Sequence, residues 1–503
     1  MEMIIIIIIS VSIAVYHGYY KKYLYEDEVL SYTVSNSQNG EFFNLQSGQW
    51  YNGRELYNNL IADREHIFDW NNVITNLRND PHPPLYYLIL HGVCSFFPGQ
   101  FSKWYGLSIN LVLFVLWVIF FYCMLCELFP DRRYFPACLS LVVAISACVL
   151  ELIIFIRMYV LFMAVTMLCM FWHVCAIKRE PFIKQYIHLS FITTIGTLSH
   201  YFYLIIAFFC ATFFCIFLIR QKRLRQLIYY IIAMVISALS VLILWSRIIK
   251  QLFESDPSSD TFSQGFSLST VLNKLLIMSR NLNGDILYGK LKIFILMIVI
   301  YAAFLFITNR KKLLKAFACK TELMMIIVVS MMSFIVISIL TPYLTTRYIS
   351  PLFPFVILIF VLTMEQPLND VFRYQIIGYV MIALFLMDSE INMLRNGLVD
   401  NNRQIIEQVT TENADALCLF EAGIIPEENV FELGKYNRIF VYDESNIEEA
   451  REELLSADKI VMYVNEDTDP GAYVEAVMRI NPELKNYDRL YVAYYSTCYI
   501  LSK

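Results

Sequence analysis

The sequence predicts a polytopic bundle of transmembrane helices followed by a small C-terminal α/β domain. Three observations carry this. The 503 residues are 58% hydrophobic and 17% charged, with a mean hydropathy of +0.54; a soluble domain is about half apolar and a quarter charged. Apolar runs long enough to cross ~30 Å of hydrocarbon recur along the chain. From about residue 395 the character changes: residues 395–503 hold 21 acidic and 10 basic side chains, a net −11, while the rest of the chain is +6.

Spans are expected at about 2–20, 104–128, 136–155, 157–177, 185–200, 201–219, 226–247, 291–308, 322–341, 347–364 and 374–390, roughly eleven in all. The first contains Ile4–Ile9 and is followed by Tyr16, Tyr19, Tyr20 and Tyr23 rather than by a small-residue cleavage site, so it reads as retained. Basic loops at Arg132-Arg133, Lys178-Arg179, Arg220–Arg225 and Arg310-Lys311-Lys312 fall between alternate span pairs. The positive-inside rule makes that face cytoplasmic, although Lys21 and Lys22 lie opposite. The N-terminus is then cytoplasmic. The 24–103 and 251–290 loops, the turns at Arg157, His200 and Arg347, and the tail are extracytoplasmic.

The 24–103 segment is polar and aromatic, with an apolar stretch at 84–97 too short to span. That stretch suits a helix at the membrane interface, and Pro83 and Pro84 suit its first turn. The 251–290 loop opens with the Ser/Asp-rich Ser255–Gly265, continues as an amphipathic Leu268–Met278, and is long enough for a lid. Division into domains at 1–394 and 395–503 follows. The tail alternates strands (Ala416–Glu421, Arg438–Asp443, Lys459–Asn465, Leu490–Tyr495) with helices near 401–412, 446–456 and 470–480, predicting a parallel sheet. It has no glycine-rich phosphate loop.

Most of the twelve cysteines lie in apolar runs and read as small hydrophobes, including Cys123-x-x-Cys126. Cys418 and Cys498 lie in the tail, where pairing stays open. No basic face suits nucleic acid.

Chemistry gathers on the outer face. Asp27 and Glu28 can act as a general base beside the bilayer, where partial desolvation raises basicity, although an acidic pair alone is more often a solvated loop start. Asp80-Pro81-His82-Pro83-Pro84 is a proline-rigid turn able to aim Asp80 and His82 at a headgroup; both are also chemically able to hold a divalent metal, with no diagnostic spacing. Arg157-Met158-Tyr159 and Arg347-Tyr348 each place an arginine where a span meets the outer surface, which suits either interfacial snorkelling or phosphate binding. His200-Tyr201 joins them between adjacent spans. Glu151 is expected to pair with Arg157.

Together Tyr25–Glu28, Asp80-x-His82-Pro83-Pro84-Leu85-Tyr86-Tyr87, Arg157-Met158-Tyr159, His200-Tyr201 and Arg347-Tyr348 before Pro351 and Pro354 resemble the C-type superfamily of integral-membrane glycosyltransferases. The similarity covers about residues 1–365 and is greatest to the branch of protein O-mannosyltransferases and the lipid A aminoarabinose transferase. It implies an outward-facing site, a polyprenyl-phosphate sugar donor and an inverting transfer to an acceptor hydroxyl on a polysaccharide, lipid or protein. A metal is optional and no other cofactor is required. It further implies Asp27 as base with Glu28 beside it. Asp80 and His82 would shape the donor or acceptor pocket, and Arg157 and Arg347 would hold the lipid phosphate. Tyr159, His200 and Tyr348 complete the expected binding set, in a multi-pass plasma-membrane protein. A transporter or flippase of lipid-linked sugars would show inverted repeats and midplane charges, and an assembly scaffold would depend on the tail alone.

Overall fold

The computed structural model describes residues 1–38, 40, 43–78, 80–179, 183–253, 267–308, 320–371, 403–493 and 495–503. It divides into two compact units: Met1–Tyr20, Pro81–Tyr86 and Gly106–Gly397 form one, and Lys21–Asp80, Tyr87–Tyr105 and Leu398–Lys503 the other.

Helices α1 (Glu2–Tyr20), α6 (Lys103–Leu128), α7 (Phe135–Ala144), α8 (Ala147–Ile154), α9 (Tyr159–Lys178), α10 (Ile183–Ser199), α11 (Tyr203–Arg220), α12 (Leu224–Leu244), α13 (Ile248–Phe253), α14 (Leu268–Asp285), α15 (Leu291–Thr308), α16 (Thr321–Leu340) and α17 (Phe353–Val371) lie wholly or, for α6, from Gly106 onward in the membrane unit. Between them α2 (Glu26–Asn36), α3 (Gly53–Asn58), α4 (Trp70–Asn76) and α5 (Leu85–Ser95) arise from the first long loop. The protein is a multi-pass membrane protein: seven helices among the described residues are long and apolar enough to span, or eight if the bent pair α7–α8 is one crossing. The expected eleven is therefore not reached there. The α10 helix has only 17 residues and carries Lys184, Gln185 and His188. An 18-residue helix, α15, stands at the expected 291–308, while 374–390 and Ser255–Gly265 lie outside the described residues. The expected continuous 136–155 span bends by 54°, because Ser146 is extended and its hydroxyl donates to the Val143 carbonyl at 2.6 Å, offering the backbone an alternative to helix.

The centre of this unit is α9. It is apolar on every side, and 83% of its spanning window is buried, as expected of a helix surrounded by others. It packs against α10, α11, α16 and a 3₁₀ turn at Thr346–Leu352. By contrast, only 22% of the windows of α1 and α12 is buried, leaving their outer faces for lipid.

The second unit holds a six-stranded sheet of β1 (Trp50–Tyr51), β2 (Leu417–Glu421), β3 (Ile439–Tyr442), β4 (Lys459–Asn465), β5 (Asn486–Ala493) and β6 (Ser496–Ser502), in the order β1-β3-β2-β4-β6-β5. Helices α18 (Arg403–Glu412), α19 (Pro426–Leu433), α20 (Arg451–Ser456) and α21 (Pro470–Ile480) accompany it. The sheet is mixed rather than parallel: only β3, β2 and β4 run parallel, and β6 returns antiparallel beside β4. β3 and the Ile460–Val464 stretch of β4, apolar and buried throughout, flank β2 in the middle of the sheet, where both faces are covered. Cys418 and Cys498 are buried free thiols.

The 24–103 loop enters this same sheet. Trp50 pairs with Phe440 and Tyr51 with Ile439, antiparallel. Gly48 donates to the Val441 carbonyl at 2.8 Å, and Val441 returns a bond to Gln49 at 3.0 Å. Arg438 lies 4.5 Å over the Trp50 ring. Gly53 donates to Tyr436 O at 3.1 Å, and a Cβ on Gly53 would stand 1.9 Å from Leu433 O; only glycine allows this approach.

Candidate functional site

In the membrane unit, the break between α8 and α9 is what exposes Arg157 to its neighbours. Asn110 of α6 donates to Ile153 O at 3.0 Å and Phe155 O at 2.8 Å, satisfying carbonyls that end α8. Tyr86 in turn donates to Asn110 Oδ1 at 3.3 Å. Phe155 is extended, Arg157 N donates to Phe155 O at 2.8 Å, and α9 starts at Tyr159. Arg157 is only 3% exposed. The expected Glu151–Arg157 ion pair is not formed: Glu151 lies exposed on α8, and the bend after Ile154 carries Arg157 inward, away from it.

His200 sits on the turn from α10 to α11. Gly196 makes this turn feasible, since a Cβ there would stand 2.4 Å from the Tyr203 ring. The His200 imidazole stacks on Phe162 at 4.6 Å and lies 5.8 Å from Tyr159 and 6.2 Å from Tyr348. Its Nδ1 accepts from Phe202 N at 3.1 Å, which places the proton on Nε2. Nε2 is buried and has no hydrogen-bond partner among the described residues. Burial, with smaller contributions from the positive fields of His82 and Arg157, lowers the His200 pKa to about 3. The ring is therefore neutral, with one N–H to donate.

Arg347 closes the cluster. Thr346 anchors the 3₁₀ turn by donating to Asp285 Oδ2 at 2.5 Å, and Asn281 holds Leu344 O at 2.7 Å. The guanidinium lies 5.0 Å over Phe155 and 5.7 Å over Tyr159. Tyr348 is 6.1 Å from Tyr159. Thus Arg347, Tyr159, Tyr348 and His200 converge from segments distant in sequence, with the charge of Arg157 acting on His200. Such a set, two guanidiniums plus a neutral donor, suits an oxyanion or phosphate. A largely apolar groove of about 780 Å³ begins one turn past His200, at Leu204 and Ile205, and continues along Phe208, Met234, Val241 and Leu252.

The second unit holds the acidic residues. Asp27 stands in the first turn of α2, partly exposed. Glu28 is fully buried; it accepts from Lys21 Nζ at 2.8 Å and from Tyr25 N at 3.0 Å, closing a capping box. Its neighbour in sequence, Asp27, is the less buried residue of the two. Asp80 is a partly exposed bend residue and precedes α5 rather than capping it. His91 of α5 was given no role by the sequence; it bridges Asn36 Oδ1 at 3.2 Å and Ser95 Oγ at 3.3 Å.

Cys169, His173 and Cys210 also gather, with their ligand atoms within 4.8 Å of one another. Only the Cys169-x-x-x-His173 spacing on α9 could have signalled this. His173 already uses both ring nitrogens, at 2.8 Å from Cys169 O and 3.0 Å from the Tyr230 hydroxyl, so the cluster is a satisfied polar knot in the core. Among the described residues no other His, Cys, Asp or Glu group converges in this way, and Asp80 and His82 are not part of one.

No protein-family model matches the chain, and no curated protein matches it in sequence. Solved structures do. The chain carries the fold of the C-type integral-membrane glycosyltransferases. ArnT from Cupriavidus metallidurans, an aminoarabinose transferase, in its crystal structure bound to undecaprenyl phosphate, is similar over 99% of this chain and 97% of its own, with TM-score 0.53 and 9% identity. Its apo structure is similar over 94% and 96%, with TM-score 0.50 and 9% identity. The oligosaccharyltransferase of Archaeoglobus fulgidus aligns over 97% of this chain and 72% of its own, at TM-score 0.42 and 12% identity.

Proposed function

We propose that this protein is a membrane glycosyltransferase that takes a sugar from a polyprenyl-phosphate carrier and places it on an acceptor hydroxyl at the extracytoplasmic face. The observation that carries the reading is the His200 Nε2–H, buried, neutral and without a partner among the described residues. It lies in a cluster with Tyr159, Tyr348 and Arg347, and Leu204 and Ile205, one helical turn further along the chain, line an apolar groove. A lipid phosphate with a long hydrocarbon tail matches that pairing of donors and grease. The undecaprenyl phosphate bound by ArnT supports the same choice.

In the reaction, Asp27 takes the acceptor hydroxyl proton as the acceptor oxygen attacks the anomeric carbon. The bond from that carbon to the phosphate oxygen breaks, and its electron pair leaves with the lipid phosphate. Arg157, Arg347 and the His200 N–H stabilise the charge that grows there. Phosphate is a competent leaving group, so no acid is needed. Glu28 holds the α2 turn through Lys21, and Asp80 and His82 contact sugar or acceptor. If the reaction uses a divalent metal, Asp80 and His82 are the residues to hold it. The N-terminus is cytoplasmic and the second unit extracytoplasmic.

The purified protein, mixed with polyprenyl-phosphate sugars, should release polyprenyl phosphate, and Asp27→Asn should abolish transfer without loss of expression. Full activity in that variant would remove Asp27 as the base. Movement of intact lipid-linked sugar across a vesicle, with no release, would instead establish a flippase.

A further inference from the structure

The second unit contains a cleft of about 680 Å³, within the range of small-ligand sites. Three stretches of chain line it: Lys21–Leu24 ahead of α2, Phe101–Trp104 at the end of the first loop, and Phe431–Lys435 with Glu407 and Thr410 from the tail. Four lysines face it, Lys21, Lys22, Lys103 and Lys435, against two carboxylates, Glu407 and Glu432. Lys21 is balanced by Glu28, which leaves three lysines against two carboxylates in a unit whose tail is −11 overall.

The lysines divide into two kinds. Lys21 is buried on Glu28 at 2.8 Å, and Lys103 donates to the Lys21 carbonyl, so these two are fixed in place. Lys22 and Lys435 are exposed at the rim. The aromatic wall is also held: Phe101 lies 5.3 Å from Phe431, and Tyr57 lies 6.2 Å from Phe101 and 6.1 Å from Phe431. Trp104 adds a further ring beside Lys103. Flat rings accept the C–H face of a sugar, and lysines accept its anionic substituent. The net negative charge of the tail disfavours such a ligand away from the lysines.

We propose that this cleft is the acceptor subsite and that it takes an anionic saccharide, one bearing a carboxylate or a phosphate. The proposal rests on the glycosyltransferase reading, and it makes the tail part of substrate recognition, with α18 and α19 forming one wall of the acceptor cleft. Lys21 both lines the cleft and holds Glu28, next to Asp27. An occupant is thereby registered against the turn that bears the base.

The test measures binding of three probes to the full-length protein in nanodiscs: a glucuronate-terminated disaccharide, a disaccharide phosphate, and the uncharged disaccharide. One or both charged probes should bind, and which one identifies the anion; the uncharged probe should bind at least about tenfold more weakly, with the difference shrinking as salt rises. Lys22→Gln combined with Lys435→Gln should weaken the charged probe about tenfold, while Lys435→Arg with Lys22→Arg should retain it. Equal affinity for charged and uncharged probes would overturn the subsite, as would charged binding indifferent to the double Gln variant. Release of polyprenyl phosphate by the unsubstituted protein is measured in parallel. If release is absent, the transferase reading fails by itself; if release occurs and the lysines do not matter, only the subsite fails.

Discussion

The Glu428 carboxylate accepts the backbone amide of Glu26 at 3.3 Å, across 402 positions of sequence. The tail thereby caps the first turn of α2, the turn in which Asp27 stands. A helix N-terminus leaves several amides without intrahelical partners, and a remote side chain fills one of them here.

Removing that acceptor should loosen the turn. Glu428→Ala is expected to destabilise the second unit by about 1 kcal/mol, the usual scale of a lost N-terminal acceptor, and to reduce transfer, while Glu428→Gln keeps an acceptor oxygen and most of both. Thermal unfolding and polyprenyl phosphate release, measured on the two variants, check this. Equal loss in both would assign the effect to charge.

Stability of the second unit should fall as pH rises through about 7. Burial raises the Glu428 pKa from 4.5 to about 7, opposed by the Glu26 amide and helped by Glu432. Burial raises that of Glu427 to about 7 as well, helped by the Glu26 carboxylate. A carboxyl whose folded pKa lies above its unfolded value favours the folded state in its protonated form. That contribution is complete below about pH 4.5 and is lost as pH rises through 7. Unfolding midpoints between pH 5 and 8 should fall in the parent protein and flatten in a Glu427→Gln, Glu428→Gln variant.

His200 should act without changing protonation. With a folded pKa of about 3, well below the ordinary 6.5, it stays neutral from pH 5 to 8 and should add no inflection to the donor KM in that range. His200→Phe preserves the stack on Phe162 but removes the N–H, and it should raise the donor KM about tenfold, as expected for a lost hydrogen bond to a charged group. An unchanged KM would remove His200 from the phosphate site.

Gly53→Ala tests how the first loop joins the sheet. A methyl group there meets Leu433 O at 1.9 Å and Tyr436 O at 2.6 Å, backbone atoms that cannot swing aside. The Trp50–Tyr51 strand should detach, and limited proteolysis should cut near residues 45–60 in the variant but not in the parent.

Much of this fold was legible in composition and period. The spans announced themselves through length and apolarity, and three tail strands were placed within a residue or so because β-branched and aromatic runs alternate with polar helices. What escaped depends on distant partners. Trp50–Tyr51 is a two-residue strand that exists only because Phe440 and Ile439 pair with it. The Ser496–Ser502 strand, which makes the sheet mixed, has strand-like Thr497–Leu501 but follows Leu490–Tyr495 with no polar gap to mark a second strand. At the candidate site, Arg157, His200 and Arg347 were readable as polar residues where spans end. The role of Asn110, which shapes the Arg157 turn, was not, because an asparagine inside an apolar run carries no address for the carbonyls it will bind. Glu28 likewise reads like Asp27 in sequence, and only the fold sends it to Lys21.

Pairing of Trp50–Tyr51 with Ile439–Phe440 also fixes an order of biogenesis. The first long loop emerges while nearly the whole chain is still unmade, and its strand has nothing to join until the C-terminal segment has been made. Closing so long a loop is slow. The nascent protein therefore makes its long apolar helices before the turn bearing Asp27 gains its cap from Glu428, and a ribosome that stops short leaves the Trp50–Tyr51 strand without its partner.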